Sequence, residues 1–272
     1  MNNPLISIIT VTYNAQDFLE QTMQSVFAQT YSNIEYLIID GCSQDNTVSI
    51  IKKQESKLSY WVSEKDLGVY DAMNKGIRLC KGELIGMINA SDYYAPNAVE
   101  LVVNEYLSNN SDGIFHGNIN MLNADGSFFK LKKPDTDLSE LYKGISLFHP
   151  TFFVSKSIYE KQGLYDIRYK IAADFDFALR CYLAGVHFYY IDNVISNFRL
   201  GGLSSNRNND GMAESRDILI KNGFDNETVQ SMVKLWKKLD LKNRKYNIAY
   251  NILGKIFPAF IIEKIAAHIS VK

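Results

Sequence analysis

The sequence predicts an α/β protein with a mostly parallel β-sheet, helices on both faces, added antiparallel strands and a helical C-terminal tail. Strand-length apolar runs alternate with helix-period segments four times in the first ninety residues, and such alternation requires right-handed crossovers between parallel strands. A hairpin signal follows near residue 125, and only helical patterns follow residue 209. We therefore divide the chain into a domain at 1–209, with halves at 1–110 and 111–209, and a helical region at 210–272.

The composition indicates a globular protein and excludes several classes. Of the 272 residues, 46% are apolar, which suffices for a substantial core. The 29 basic and 30 acidic residues leave a net charge of −1, which argues against a general nucleic-acid-binding protein, because such proteins need a basic surface. Three widely spaced cysteines indicate neither a disulfide framework nor a zinc cluster and favour a reducing cytosol. The apolar run at 5–11 is too short for a signal-peptide core or a membrane span.

Each element of the first half follows from its apolar spacing and its polar boundaries. Apolar and β-branched runs predict four buried strands, at Leu5–Thr12, Ile34–Ile39, Tyr60–Val62 and Leu84–Ile88. Apolar residues at helical spacing predict the helices between them, and Asn14 is expected to cap the first. Pro96 is expected to open a further helix that runs to about residue 109.

The second half has a different character. Apolar runs at 113–121 and 128–131 flank the turn Asn123–Gly126, which predicts an antiparallel hairpin. His149 lies among aromatic residues, where a histidine is either packed in the core or in contact with a ligand. A helix is predicted from Asp174, and two strand-like runs follow at 188–191 and 194–200.

All four strands of the first half end in polar or acidic clusters. These clusters are Thr12–Asn14, Asp40–Asp45, Glu64–Asp66 and Asn89–Asp92. Because the carboxyl ends of parallel strands share one edge of a sheet, we expect the clusters to form a pocket. A carboxylate such as Asp40 can accept hydrogen bonds from a nucleobase or ribose, and Asp92 offers a hard oxygen to Mg²⁺ or Mn²⁺. The sequence lacks a Gly-x-Gly-x-x-Gly after the first strand and any Gly-Lys-Ser/Thr loop, which argues against dinucleotide and P-loop sites.

Together these motifs resemble those of family 2 glycosyltransferases, whose GT-A fold is a Rossmann-like form of the predicted architecture. The resemblance covers about residues 5–205 and rests on four segments, Ser7–Asn14, Asp40–Thr47, Ser63–Gly76 and Asn89–Asp92. It implies that a nucleotide sugar, most often UDP-linked, is bound by Thr12, Tyr13, Asn14, Asp40, Asp66, Asn74, Lys75, Asn89, Ala90 and Ser91. Lys75 is also consistent with a solvated surface lysine.

The resemblance also implies a divalent cation, Mn²⁺ or Mg²⁺. The loop Asn89–Asp92 is the counterpart of the metal-binding acidic motif of the family, but Ser91 replaces the first acid of the usual pair. Asp92 is therefore the expected metal ligand. A cation bridging the diphosphate would stabilise the charge that develops on the leaving group.

The general base is implied in the same way. In an inverting displacement one base takes the proton of the attacking hydroxyl, and Asp174 occupies the place of that base in the family. Ala173 stands where many relatives carry Glu, and an acid at a helix start also fits a capping role. Asp176 is expected to brace the helix or the loop beyond it. Further candidates for contacts on the acceptor or donor side are Tyr70, His149, Asp176 and Arg199.

Two later segments allow alternatives. The segment Gly201–Asn206 is either a loop that closes over the donor, bringing Arg199 or Arg207 to its phosphates, or an exposed linker. Between Lys234 and Lys272, nine Lys or Arg accompany only two acids. This composition suits an interfacial helix on an anionic membrane surface, or a helical hairpin packed on the domain or on a second copy in a homodimer.

We therefore expect an inverting hexosyl- or N-acetylhexosaminyltransferase acting on a glycan or lipid-linked glycan. Its expected role is the synthesis of a bacterial surface polysaccharide such as O-antigen or capsule, in the cytoplasm and peripheral on the cytoplasmic face of the inner membrane. One alternative is a catalytically silent nucleotide-sugar-binding scaffold, which the loss of an acid at Ser91 allows. Another is a glycoside hydrolase with two carboxylates, which would need no nucleotide pocket.

Overall fold

A computed structural model of the chain describes residues 3–143, 147–201 and 208–238. The chain divides into two compact units, Met1–Arg207 and Asn208–Lys272. The division lies beside the boundary expected at residue 209. All of the described candidate site residues belong to the first unit.

Within the described residues, the first unit is built on a nine-stranded mixed sheet. Its strands are β1 Ile6–Thr12, β2 Ile34–Asp40, β3 Tyr60–Ser63, β4 Leu84–Met87, β5 Tyr93–Tyr94, β6 Ile114–Leu122, β7 Phe128–Lys132, β8 Phe153–Ser155 and β9 Phe188–Arg199. The strand order is β3-β2-β1-β4-β8-β6-β9-β5, with β7 paired to β6. β3, β2, β1 and β4 are mutually parallel, and β8 joins β4 in the antiparallel direction. The parallel half and the antiparallel additions are both as predicted.

Helices cover both faces of this sheet. They are α1 Leu19–Phe27, α2 Thr47–Lys53, α3 Val69–Leu79, α4 Ala98–Asn109, α5 Lys156–Gln162 and α6 Ala173–Leu183. Side chains alternate along a strand, so Ile9 and Val11 of β1 pack in the cluster that includes α3 and α6. Ile6 and Ile8 pack on the other face, in the cluster that includes α1 and α4. Burial on both faces explains why β1 is a continuous apolar run.

The structure confirms the predicted fold class and the hairpin, in which β6 and β7 pair antiparallel. Two local predictions are wrong. Asn14 does not cap α1, which begins at Leu19; Asn14 has a φ of 48°, and its side chain accepts a hydrogen bond from the N–H of Gln44 at 2.8 Å. The two runs at 188–191 and 194–200 form one strand, β9, because the register shifts of its pairing with β6 absorb the break between them.

The described part of the second unit is helical, as expected. Helix α7 spans Asn208–Lys221, and a further helix, α8, runs from 226 to 238. Among the described residues, no helix combines the length and apolarity that crossing a membrane requires. The predictions for residues 202–207 and for the basic tail at 239–272 lie outside the described residues.

Candidate active site

The carboxyl ends of the parallel strands are neighbours at one edge of the sheet. Thr12, at the end of β1, pairs in register with Asp40 of β2, and Asp40 pairs with Ser63 of β3. On the other side of β1, the N–H of Ile88 donates to the carbonyl of Ile9 at 3.0 Å. The polar loops that follow the four strands are therefore brought together, as the sequence predicts.

Asp40 is completely buried and its carboxylate serves the turn that follows β2. Its Oδ1 accepts from the Ser43 hydroxyl at 2.5 Å, and its Oδ2 accepts from the Ser43 N–H at 3.0 Å and from the Ser63 hydroxyl at 2.6 Å. These bonds hold the ends of β2 and β3 in one arrangement. A direct contact of Asp40 with a nucleoside stays a prediction.

The loop after β1 is fastened to the same turn. The N–H of Asn14 donates to the Ser43 hydroxyl at 2.8 Å, and the N–H of Ala15 donates to Thr47 Oγ1 at 2.8 Å. Asp45 accepts from the N–H of Gln16 at 3.1 Å. The two loops that resemble nucleoside-binding motifs thus form one cross-linked unit, held before any ligand binds.

Tyr13, Gly41 and Asp66 form the open surface of this unit. Tyr13 is 63% exposed. A Cβ atom on Gly41 would lie 2.6 Å from Asp66 Oδ2 and 3.4 Å from the Tyr13 ring, so a larger residue here would displace the Asp66 carboxylate. Asp66 is fixed through its Oδ1, which accepts from the N–H of Gly68 at 2.9 Å. An exposed aromatic face beside a carboxylate offers both stacking and hydrogen bonding to a nucleobase or a ribose.

Asn74 and Lys75 on α3 are both engaged within the protein. Asn74 is buried, donates to the carbonyl of Tyr165 at 2.8 Å and accepts from the Tyr165 N–H at 3.0 Å. Lys75 Nζ lies 2.8 Å from a Glu64 carboxylate oxygen and 3.6 Å from Asp71 Oδ2. The hydrogen bond to Glu64 raises the pKa of Lys75. Ligand contacts by either residue stay predictions.

Asp92 lies in the loop after β4 and is 1% exposed. Its Oδ1 accepts from the backbone N–H of Arg199 at 3.0 Å. Burial raises the pKa of Asp92 to about 7, and the Arg199 amide and charge act in the opposite direction. The Arg199 guanidinium is itself held against α1, 2.9 Å from Gln21 Oε1 and 5.0 Å from the Phe18 ring centroid.

Oxygen atoms in the loop after β4 and on the adjacent strand β1 are of the kind that a hard cation prefers. The loop residues Ala90 and Ser91 are buried and half-buried, respectively. Asn89 Oδ1 is a buried oxygen without a hydrogen-bond partner in the part of the chain that the structure describes, as is Thr12 Oγ1 on the adjacent strand. Mg²⁺ and Mn²⁺ prefer such oxygen ligands. Among the described residues no group of three or more acidic, His or Cys side chains surrounds a metal position, so ligand oxygens or water would have to complete the coordination.

Asp174 stands in the first turn of α6, across from α3. Its Oδ1 accepts from the N–H of Phe175 at 2.9 Å, and the Tyr70 hydroxyl lies 3.1 Å from the same atom. Within the described residues, both hydrogen bonds of this half-buried carboxylate are made by Oδ1 and none by Oδ2. Asp174 therefore presents one fixed oxygen and one oxygen that can receive a proton.

His149 belongs to an aromatic cluster near Asp174. Its Nε2 lies 2.8 Å from the Tyr165 hydroxyl, which in turn lies 3.1 Å from the Tyr159 hydroxyl. The His149 ring meets the Tyr165 ring edge-on at 5.6 Å. Burial lowers the pKa of His149, whereas the charge of Asp174 acts to raise it. His149 is thus packed and hydrogen-bonded, and a ligand contact stays a prediction.

Asp176 braces α6, as the sequence predicts. It is fully buried, and its Oδ2 accepts from Arg180 Nε at 2.8 Å. Arg180 also donates to the carbonyl of Gln162, the last residue of α5, and to that of Leu164 in the loop that follows. This network fixes the helix that carries Asp174 to the preceding loop.

Lys170 joins the loop after β3 to the segment that leads into α6. Its Nζ donates to the carbonyl of Leu67 at 2.9 Å and to that of Ile167 at 3.0 Å. Asp66 and Asp174 lie on the two segments that Lys170 connects. Sequence reasoning missed Lys170, Ser63 and Tyr165. Only Ser63 had a local signal, because it ends an apolar strand.

Proteins of known sequence resemble this chain. The family model described as glycosyl transferase family 2 matches residues 7–163. An uncharacterized glycosyltransferase of Mycobacterium tuberculosis is 35% identical over 187 residues, which are 66% of this chain and 70% of that protein. A PGL/p-HBAD biosynthesis glycosyltransferase of Mycobacterium bovis is 27% identical over 215 residues, 75% of this chain and 81% of that protein. The chain belongs to glycosyl transferase family 2.

Solved structures resemble its fold. The crystal structure of S. aureus TarS 1-349 in complex with UDP-GlcNAc has a TM-score of 0.65 and 17% identity, covering 85% of this chain and 71% of that chain. Another TarS crystal structure has the same TM-score and 16% identity, but this chain spans only 42% of it. At such identities the likeness concerns the fold, and it confirms the GT-A-like architecture that the motifs imply.

Proposed function

We propose that the chain transfers a sugar from a UDP-linked nucleotide sugar to a hydroxyl group of a glycan or lipid-linked glycan, with inversion at the anomeric carbon. Family membership supports glycosyl transfer. One observation supports the proposal that the donor site and the base lie close together. Lys170 joins the loop of Asp66 to the segment of Asp174, because its Nζ donates to a carbonyl of each. A donor held at Tyr13 and Asp66 would then lie beside a carboxylate with an open oxygen.

The loops of the proposed donor site are already held in place by hydrogen bonds between them. Because the loops after β1, β2 and β3 are already cross-linked through Asn14, Asp40, Ser43 and Ser63, binding a nucleoside would order few additional groups. Low ordering cost favours affinity. In this proposal, Tyr13 stacks on the base and Asp66 accepts hydrogen bonds from the nucleoside.

On the acceptor side, Asp174 is the general base. Its Oδ2 takes the proton of the acceptor hydroxyl. At the same time the oxygen of that hydroxyl bonds to the anomeric carbon, and the nucleoside diphosphate leaves. Asp92 and the oxygen of Asn89 would hold Mn²⁺ or Mg²⁺, which when bound supplies positive charge to the leaving diphosphate. The buried Asp92 favours such a partner, because burial of an unpaired carboxylate is costly.

A ligand panel tests the donor class. We expect a UDP-sugar, compared with GDP- and dTDP-sugars, to give the largest rise in melting temperature with Mn²⁺, since ligands that bind the folded state stabilise it. The stabilising sugar nucleotide should then release UDP when glycan acceptors are added. Binding without any release would favour the scaffold alternative, and no binding of any nucleotide sugar would reject the proposal.

The acceptor and the cellular site are proposed from the composition of the tail. Its nine basic residues between Lys234 and Lys272 suit binding to an anionic membrane surface. The proposed acceptor is a lipid-linked glycan of a surface polysaccharide, and the proposed site is the cytoplasmic face of that membrane. Co-sedimentation with phosphatidylglycerol vesicles should exceed that with phosphatidylcholine vesicles. Equal binding to both, together with a dimeric mass in solution, would favour the alternative of a homodimer.

A further inference from the structure

The Tyr70 hydroxyl lies between two acceptors. Its oxygen is 2.7 Å from the carbonyl oxygen of Ile171 and 3.1 Å from Asp174 Oδ1. A phenol carries a single proton, so it donates to one acceptor at a time. Tyr70 is 7% exposed and packs against Tyr165 with ring centroids 5.5 Å apart, so its ring stays in place while the hydroxyl proton reorients.

Asp174 must pass through two charge states if it acts as the base of the proposed function, on which this inference rests. As a carboxylate, it is the stronger acceptor, because hydrogen bonds to charged groups are about twice as strong as neutral ones. Once it has taken a proton on either oxygen, Oδ1 loses that advantage. The carbonyl of Ile171, which is also the closer acceptor, then becomes the better partner.

We propose that Tyr70 is a positioning residue whose single hydroxyl proton follows the charge of Asp174. The proton points to Asp174 Oδ1 while the base is ionised and turns to the carbonyl of Ile171 after the base has taken the acceptor's proton. In both states the buried hydroxyl keeps a partner, so neither leaves an unsatisfied donor. The ionised base is held and stabilised before transfer, and the protonated base is released from the bond.

The other titratable groups around Asp174 do not disturb this reorientation of the Tyr70 hydroxyl proton near neutral pH. Burial lowers the pKa of His149 and raises that of Tyr165 well above its usual range, so both are neutral. On α6, Asp176 is paired with Arg180. On the segment before α6, Lys170 donates to backbone carbonyls and Asp166 pairs with Arg168.

The first test titrates Asp174 directly in the full chain carrying ¹³C at the aspartate carboxyls, with the signal assigned by its loss in Asp174→Asn. In Tyr70→Phe, the midpoint of the Asp174 titration should move to higher pH, because the ionised carboxylate loses one hydrogen bond. Tyr159→Phe is the matched control, because its hydroxyl contacts Tyr165 rather than Asp174 and its loss should leave the midpoint unchanged. An unchanged midpoint in Tyr70→Phe would overturn the proposal.

The second test uses the unaltered protein with ¹³C at the isoleucine carbonyls. The Ile171 carbonyl signal should move downfield as pH falls through the Asp174 midpoint, because the Tyr70 proton turns to it. The carbonyl of Ile167, which accepts from Lys170, is the internal control and should not follow that midpoint. An Ile171 signal that ignores the titration of Asp174 would reject the switch.

These measurements involve no turnover, so they separate two failures. If Asp174→Asn keeps full sugar transfer, the assignment of the base fails while the two titrations still decide whether Tyr70 follows the charge of Asp174. If transfer is lost in Asp174→Asn but the titrations show no coupling, the base stands and the role of Tyr70 fails.

Discussion

Asp92 and Asp174 are both aspartates in polar loops or helix starts, yet their surroundings differ. Asp92 is 1% exposed and accepts from one backbone N–H, that of Arg199. Asp174 is half-buried, and within the described residues its hydrogen bonds are made by Oδ1 and none by Oδ2. Burial raises the pKa of Asp92 to about 7. The first environment suits a carboxylate that receives a cation, and the second suits one that receives a proton.

The comparison shows that residue type does not decide which carboxylate does which task. Burial penalises the charged form unless a positive partner is present, whereas hydrogen bonds from fixed donors favour the charged form. Asp176 adds a third case, since it is fully buried and paired with Arg180. The same residue type, aspartate, thus serves as candidate metal ligand, as candidate base and as structural brace at three positions of the same unit.

The largest effect that tests this comparison is expected at Asp174. Asp174→Asn keeps the shape and the acceptor for the Phe175 N–H but cannot take a proton, so kcat for sugar transfer should fall by about 10²- to 10⁴-fold. The dissociation constant of UDP should not change, as calorimetric titration would measure. Asp166→Asn, which alters the pair with the exposed Arg168, is the control and should keep kcat. Unchanged kcat in Asp174→Asn would exclude the residue as the base.

The pH dependence of the free energy of unfolding tests the buried environment of Asp92. A pKa raised from 3.8 to about 7 means that the folded state holds this proton more tightly. The resulting stability is fully present below pH 3.8 and is lost as pH rises through about 7. With a chelator present, the free energy of unfolding of Asp92→Asn should therefore exceed that of the wild type by up to about 4 kcal/mol near pH 8. Near pH 4 the two free energies should differ little.

Urea unfolding across this pH range measures the difference. Asp125→Asn is the control, because Asp125 is exposed and its pKa is lowered by the Ser127 hydroxyl, which is the opposite direction. The control should show no gain at high pH. Equal stability of Asp92→Asn and wild type at every pH would contradict the environment that we describe for Asp92.

The structural role of Asp176 predicts a loss of stability. Asp176→Ala leaves Arg180 without its carboxylate, and breaking a buried pair from one side should cost about 3 kcal/mol in the free energy of unfolding. UDP binding should persist at temperatures where the variant is folded. Asp192→Ala, which breaks an exposed pair with Lys133, should cost much less, because solvent screens a pair at the surface. Similar costs for the two variants would argue against the brace.

The smallest expected effect concerns the cation. In the wild type, Mn²⁺ should strengthen UDP binding at pH 8 by at least about tenfold, or 1.4 kcal/mol. Asp92→Ala should remove that dependence and leave metal-free binding near the wild-type value. Asp125→Asn, which lies near the Arg199 guanidinium but outside the loop, should retain the dependence. Persistence of the Mn²⁺ effect in Asp92→Ala would place the cation elsewhere.

Much of the architecture was predictable because it depends on local pattern. The alternation of apolar strands and amphipathic helices predicted the parallel half of the sheet, and the polar strand ends predicted that the clusters beginning at Thr12 and Asp40 meet at one edge. The Asn-Ala-Asp-Gly turn predicted the hairpin. The cap assigned to Asn14 failed, because a partner in the next loop competes for its side chain.

The roles of individual polar side chains were less predictable. Asp40 and Asn74 match donor-site motifs, but the fold buries the first among serine hydroxyls and pairs the second with the Tyr165 backbone. Nothing in the local sequence pointed to Tyr165 or Lys170. Both act through contacts with segments about a hundred residues away.

The sequence by itself determined the fold class and the edge of the sheet where the chemistry lies, because burial periodicity and strand termini are read within a few residues. Only the tertiary structure decided which carboxylate is sealed against Arg199 and which accepts a hydrogen bond from the Tyr70 hydroxyl. Desolvation and hydrogen bonding at a buried group depend on whatever the chain brings to it from afar. No short window of sequence contains those partners.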